Sequence, residues 1–410
     1  MIARPKIDMQ EATRLTRAGR LGEAMALLRG TLDSPSQGRP SSEPDPSGPD
    51  GRTVIDMVPP SPGTGETWTP PQPGNPDAAP AGRPQAHEMF RGVLDRFRRP
   101  HAPAGDILKP RSPGPAPASA PDGARFDECS YAGPAGPRTY KLYIPSGRAG
   151  QVLPLVVMLH GCTQSPDDFA AGTRMNELAE EQGFIVAYPE QTRSANASRC
   201  WNWFNPGDQR RDGGEPALIA GITRQIMRDH PVDPGKVYVA GLSAGGAAAA
   251  IMGAAYPDLY AAVGVHSGLA CGAASDMMSA FTAMRQGMPP AASASRRFGA
   301  AVPTIVFHGD RDTTVSPVNG DQVRAQAEAA SDLRSTVSHG TAPGGIGYTC
   351  TVRTDGAGRP MSEHWVLHGA GHAWSGGSPA GSYTEPRGPD ASREMMRFFR
   401  QQPGAGSAAR

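Results

Sequence analysis

The sequence predicts an α/β protein: a mainly parallel, doubly wound sheet flanked by helices, preceded by a largely disordered Pro-rich region. Three observations lead there. Beyond residue 140, short apolar runs alternate with segments of helical period. Some of those runs, LPLVVMLHG above all, are continuous rather than alternating in polarity, as in strands buried on both faces. The 43 prolines of the 410 residues concentrate between residues 34 and 122, a stretch with few large apolar side chains. Such a stretch cannot offset the entropy of ordering itself.

Taken in order, residues 1–33 read as a short helical segment, with Leu15, Leu21, Met25 and Leu28 near helical spacing and Gly19 and Gly22 interrupting. The phrase AGRLGEAMALLR is similar to half a tetratricopeptide unit, but a single unit builds no solenoid, and a small docking helix is the preferred reading. Residues 34–123 form the linker. Within it, near 84–99, Met89, Phe90, Val93, Leu94 and Phe97 share a helical face with Arg91, Arg96, Arg98 and Arg99 around it. That helix is read as packing on the main domain, with adsorption to a lipid or polymer surface as the alternative. Residues 124–402 are of the size of one large domain, and 403–410 form a disordered tail.

Within that domain TYKLYIP, LPLVVMLHG, FIVAYPE, KVYVAG, AAVGVHSG, TIVFHGD and EHWVLHGAG read as strands. FAAGTRMNELAEEQG, PALIAGITRQIMRDH, AGGAAAAIMGAAYP and ASREMMRFFRQ read as the helices between and after them. A site in such a sheet belongs at the carboxyl ends of its strands.

Composition excludes several classes. A formal net charge of +1 gives no electrostatic reason for a nucleic-acid partner. No run is long and apolar enough for a transmembrane segment. The start of the chain lacks the apolar core of a secretory signal, which makes a cytoplasmic location the expectation. The five cysteines are an odd number, so at least one thiol stays unpaired within a monomer; spacing leaves both redox compartments open, and no CxxC pair suggests zinc.

The strongest signal is Gly241-Leu242-Ser243-Ala244-Gly245, a G-x-S-x-G between a strand and a helix of small residues. Glycines at both offsets let the chain turn sharply enough to lift the hydroxyl above the sheet, and no other serine here has both. A serine needs a base. His372 is the candidate, in the Gly-rich loop GAGHAWSGG after the last strand. His364 and His368 lie within that strand. Their spacing of four would suit a metal on a helix, but Gly369 and Gly371 break any such helix, so neither metal nor cofactor is expected. The orienting acid should follow TIVFHGDRDTTV; Asp312 is preferred, with Asp310 bracing the loop. Two backbone N–H groups complete the set as an oxyanion hole: that of Ala244 after the nucleophile, and by position that of Cys162 in His160-Gly161-Cys162-Thr163-Gln164. Together these parts specify the α/β-hydrolase fold.

VVMLHGCTQ, CWNWF, GLSAGG, FHGDRDTTV and GHAWSGG, taken together, resemble the poly-3-hydroxybutyrate depolymerase family of esterases, which also includes feruloyl and acetyl-xylan esterases. The likeness spans residues 140–399. It implies a serine esterase with Ser243, Asp312 and His372 as triad, cleaving short-chain hydroxyalkanoate esters, such as poly-3-hydroxybutyrate or its oligomers. Feruloyl or acetyl-xylan esters are the alternative substrates. Many members are secreted, which is the alternative location. A polymer granule surface is a further expected partner, and a non-catalytic granule-binding protein the reading from another class. Trp201, Trp203 and Trp374 are expected as substrate contacts, with a place in the core as the alternative for the first two. A Cys162–Cys200 disulfide would join the oxyanion loop to the aromatic loop. Met277, Met278, Phe281, Met284 and Met288 suit either a lid or a core helix.

Overall fold

The computed structural model describes residues 121–288, 302–328 and 333–404. All lie in the second of two units, Leu108–Arg410. The expected helical segment 1–33, the helix near 84–99 and residues 405–410 of the tail fall outside the described residues.

The strands are β1 (Arg125–Gly133), β2 (Gly136–Ile144), β3 (Leu153–Leu159), β4 (Ile185–Pro189), β5 (Val232–Leu242), β6 (Ala262–His266), β7 (Thr304–Gly309), β8 (Arg334–Thr341), β9 (Gly347–Thr354) and β10 (Pro360–Leu367). A separate two-stranded pair is β11 (Trp374–Ser375) with β12 (Thr384–Glu385). The helices are α1 (Pro166–Thr173), α2 (Met175–Gln182), α3 (Gly214–Asp229), α4 (Ala244–Ala255), α5 (Met277–Gln286), α6 (Val318–Glu328) and α7 (Ala391–Arg400).

The large sheet has the order β1-β2-β4-β3-β5-β6-β7-β10-β9-β8. From β4 to β10 every pairing is parallel. A hairpin closes each flank: β2 runs antiparallel to β4 and to β1, and β9 antiparallel to β10 and to β8. The apolar runs explain the centre. Every residue of β4, β6 and β7 is buried, because both faces of those strands are covered. On one face α7 contributes Met395, Met396, Phe398 and Phe399, with the Phe399 ring stacked on Tyr238 of β5 at 4.8 Å. Helix α4, built of small residues, approaches β6 so closely that a Cβ on Gly253 would lie 2.5 Å from a Val263 methyl.

Two features depart from the sequence reading. FAAGTRMNELAEEQG forms two helices, because Arg174 adopts a left-handed φ of 56° and ends α1 before α2 begins. The flanking strands β1, β8 and β9 carry no continuous apolar run to announce them. All of β8 except Gly340 is exposed, so nothing selects an alternating pattern there. The Met-rich segment forms α5, capped by Asp276; it buries Ala280 and Ala283 and leaves Met278 exposed.

Candidate active site

Ser243 stands between the end of β5 and the start of α4 with φ 58° and ψ −119°. A β-carbon is strained at such a backbone, by about 1–3 kcal/mol, so the surroundings must hold it. They do so through Ser243 N–H to the His266 carbonyl at 2.9 Å, and through the Ser243 carbonyl, which accepts from Ala247 N–H at 2.9 Å. The neighbouring glycines are required by close approach. A Cβ on Gly241 would meet the Gly245 carbonyl at 2.3 Å, and one on Gly245 the Leu159 carbonyl at 2.0 Å. No side chain larger than hydrogen fits where strand and helix pass each other here.

The residues expected as acid and base, Asp312 and His372, come from two later strand ends. His372 Nδ1–H donates to Asp312 Oδ2 at 2.7 Å. The proton on Nδ1 leaves Nε2 as the basic nitrogen. Asp312 Oδ1 accepts from the N–H groups of Thr314 and Val315, each at 2.9 Å. His308 Nε2–H donates to the Val315 carbonyl at 2.9 Å and lies 3.4 Å from Asp312 Oδ2. Burial alone would raise the Asp312 pKa. The charge of His372 and the hydrogen bonds from His308 and His372 outweigh it and hold the carboxyl well below the usual range. Asp310 turns elsewhere: it accepts from Gly369 N–H at 2.7 Å and pairs with His368 at 3.1 Å, bracing the loop. His364 is buried in β10, and burial pushes its pKa down to about 4. Among the described residues no cluster of three or more His, Cys, Asp or Glu could hold a metal ion.

The loop after β3 packs against Ser243: a Cβ on Gly161 would be 3.7 Å from Ser243 Cβ. Gly161 N–H is already engaged, donating to Gln164 Oε1 at 2.9 Å. Cys162 N–H follows it in the chain. Ala244 N–H opens α4, where the first amides have no intrahelical acceptor. Cys162 is joined to Cys200 by a disulfide. Thr163, at φ 68°, donates its N–H to the Ser198 carbonyl at 2.7 Å. His160 Nδ1–H donates to the Gly161 carbonyl at 2.8 Å while Nε2 accepts from Gln191 N–H at 3.1 Å. Burial, opposed only in part by the first of those bonds, pushes the His160 pKa down to about 4, so the ring stays neutral.

The tryptophans require a correction. Trp201 is 0% and Trp374 1% exposed, and Trp203 is also buried at 6%. Each of the first two has its indole N–H satisfied inside: Trp201 donates to the His160 carbonyl and Trp374 to Ser392 Oγ, both at 3.1 Å. Trp203 packs edge-on against Phe204 at 5.7 Å. Buried to this extent they pack as core residues, the alternative expected for Trp201 and Trp203, because a large ring with a bonded polar tip gains most when wholly buried.

Two residues near the site were not read from the sequence. His266 ends β6; its carbonyl holds Ser243 N–H, its Nε2 accepts from Ser375 N–H at 3.0 Å, and its ring stacks on Trp374 at 5.2 Å. It thus ties the backbone of Ser243 to the segment following His372. Burial first, then the nearby His308 and His372 charges, push its pKa well below the usual value. The signal was a histidine at the very end of an apolar strand. Glu215, in the first turn of α3, accepts from Asn202 N–H and from Asn202 Nδ2, both at 2.7 Å, and from Gln191 Nε2. Gln191 Nε2 also donates to the Cys200 carbonyl at 3.0 Å, so Glu215 anchors the disulfide-bearing loop. Nothing in GGEPALI singles that residue out.

A parallel sheet covered on both faces, a serine on a left-handed strand-to-helix turn and an Asp–His pair from later strand ends define an α/β-hydrolase. Acetyl xylan esterase from Aspergillus awamori has this fold, with a TM-score of 0.53 over 68% of this chain and 99% of that one, at 22% identity. Residues 138–337 match the family described as Esterase PHB depolymerase. Poly(3-hydroxyalkanoate) depolymerase C of Paucimonas lemoignei is 34% identical over 239 residues, 56% of this chain and 57% of that protein. Poly(3-hydroxybutyrate) depolymerase of Ralstonia pickettii is 28% identical over 55% of this chain and 48% of its own length. Feruloyl esterase B of Thermothelomyces thermophilus is 29% identical over 42% of this chain and 64% of that one. The chain thus spans about half the length of the depolymerases it matches.

Proposed function

We propose that the protein is a serine esterase that hydrolyses short-chain hydroxyalkanoate esters, poly-3-hydroxybutyrate or its oligomers among them. The observation that carries the chemistry is the strained Ser243 turn in a chain whose His372 is held by a buried Asp312 at 2.7 Å. His372 Nε2 takes the serine proton as Oγ attacks the ester carbonyl, and then gives it to the departing alcohol. The N–H groups of Cys162 and Ala244 receive the charge that develops on the carbonyl oxygen. Water, deprotonated by the same histidine, releases the hydroxy acid from Ser243. Asp312 keeps the imidazole tautomer and stabilises the imidazolium without taking its proton.

The substrate class is supported by the depolymerase names of two relatives. The feruloyl and acetylxylan esterase names among the others support plant-polysaccharide esters as a second reading. Hydrolysis of p-nitrophenyl butyrate by wild type and Ser243→Ala, beside release of 3-hydroxybutyrate from amorphous polymer, tests both. Loss of both activities in the variant is the expected result. Cleavage of the small ester alone would move the substrate to acetyl or feruloyl esters. Full activity in Ser243→Ala would overturn the mechanism. The Cys162–Cys200 pair supports an oxidising compartment, hence secretion over the cytoplasm. Co-sedimentation with polymer granules tests the remaining partner, the granule surface.

A further inference from the structure

We propose that Gln164 is the positioning residue of the oxyanion loop, and that Asp168 sets the direction in which its side-chain amide points. The inference rests on the reading of Cys162 N–H as an oxyanion donor. Gln164 holds the preceding glycine at both ends. Its Oε1 accepts from Gly161 N–H at 2.9 Å, and its own backbone N–H donates to the Gly161 carbonyl at 3.3 Å. That carbonyl also accepts from His160 Nδ1–H at 2.8 Å. A trans peptide is planar, with N–H and C=O on opposite sides. Fixing the Gly161 carbonyl therefore fixes the opposite direction for Cys162 N–H. Occupying Gly161 N–H leaves that of Cys162 as the loop's amide for an incoming oxygen.

An amide side chain has two orientations of equal shape, and only one serves here. Gln164 Nε2 donates to Asp168 Oδ2 at 2.8 Å and reaches the Ser382 carbonyl at 3.2 Å and Ser382 Oγ at 3.3 Å. A flipped amide would set its oxygen against the carboxylate and its N–H group against Gly161 N–H, two repulsions in a side chain that is only 2% exposed. Asp168 is in turn held from outside the loop. Its Oδ1 accepts from Ser382 N–H at 2.9 Å and its Oδ2 from Ser382 Oγ at 2.6 Å. Its own N–H is capped by Ser165 Oγ at 3.2 Å in the first turn of α1. The chain Ser382–Asp168–Gln164–Gly161 thus links the segment beyond His372 to the oxyanion loop, and none of these side chains need touch substrate.

A pair of substitutions tests this. In Gln164→Glu the new carboxylate still accepts from Gly161 but faces Asp168 as a like charge. Asp168→Asn placed beside it restores a donor and acceptor with the roles reversed. For p-nitrophenyl butyrate, Gln164→Glu is expected to lose on the order of 10²-fold in kcat with KM nearly unchanged, the loss typical of one oxyanion donor. Affinity for a butyl boronic acid, which mimics the tetrahedral intermediate, should fall in parallel. The double variant should recover at least about tenfold of the lost kcat, since the repulsion is removed. Asp168→Asn alone, which keeps all backbone contacts, should lose roughly tenfold. Should the Gln164→Glu chain not fold, as judged by circular dichroism, that single variant and the double variant carry the test. The proposal is overturned if the double variant is no better than the poorer single variant, or if the losses appear in KM with kcat intact. Full activity in Ser243→Ala would instead condemn the site reading itself, so the two failures are distinguishable.

Discussion

At Ser243 the backbone matters to the proposed chemistry as much as the side chain does. The residue is legible in the sequence because its geometry needs glycines at fixed offsets, and the 2.3 Å and 2.0 Å approaches at Gly241 and Gly245 give the reason. Gly245→Ala is expected to cost about 1–3 kcal/mol or more by overpacking, read as a lower denaturant midpoint, and to abolish ester hydrolysis. The choice between two nearby carboxylates was also legible, because Asp312 lies further from the strand end than Asp310. Asp312→Asn should lower kcat by about 10⁴-fold by favouring the wrong imidazole tautomer. Asp310→Asn, which keeps an acceptor for Gly369 N–H and removes only the charge beside His368, should lose less than about tenfold. Steady-state kinetics on one small ester ranks the two. His266 was marked only by its place at the end of an apolar strand. Its contacts are made by a carbonyl and by a ring nitrogen that accepts from Ser375 N–H, far along the chain, and that place does not foretell either partner.

Among elements, the central strands announced themselves and the flanks did not. A strand buried on both faces must be apolar throughout, whereas β8 faces solvent along nearly its whole length and accepts almost any residue. The tryptophan loop after β4 was read for its aromatic content, yet its rings are buried. Two predictions belong at this scale. The disulfide spans 38 positions, and replacing both cysteines by serine should lower stability by about 2–4 kcal/mol, measured by urea unfolding. It should lower kcat as well, since Cys162 bears a proposed oxyanion donor. The second concerns Glu215 at the start of α3. Burial, then the charge of Asp208, push its pKa up to about 7 despite the bonds from Asn202 and Gln191. Between the ordinary glutamate range and about 7 the folded state binds more protons than the unfolded chain, so stability falls as pH rises through that window. Glu215→Gln does not titrate. Its unfolding midpoint relative to wild type should therefore improve from about pH 5 to about pH 8. A constant difference would show that Glu215 does not titrate differently on folding.

Over the whole molecule, every contact of the proposed site described above lies between residues 159 and 392. A chain beginning at residue 121 should cleave p-nitrophenyl butyrate within about twofold of the full-length kcat/KM if that part folds as a unit. Granule sedimentation of the same two proteins isolates what the first 120 residues add. The α/β architecture was readable because its alternation of strand and helix is written into hydrophobic period over more than two hundred residues. The closure of the sheet by antiparallel hairpins was not, since it depends on pairing between segments of mixed polarity. One feature of the site bears on how the protein would respond to selection. Left-handed backbone at residues other than glycine recurs at and around Ser243: Thr163, Ser243, Ser267 and Tyr383 have φ of 68°, 58°, 49° and 54°. Each such residue is disfavoured by the chain's own sterics. A screen that rewards only heat tolerance would reach first for glycine at these positions, and at Ser243 that change removes the proposed nucleophile. Robustness and turnover are thus set against each other at the same few backbone angles, and a stabilised yet active variant would have to draw its improvements from elsewhere, such as the outer faces of α3 and α7.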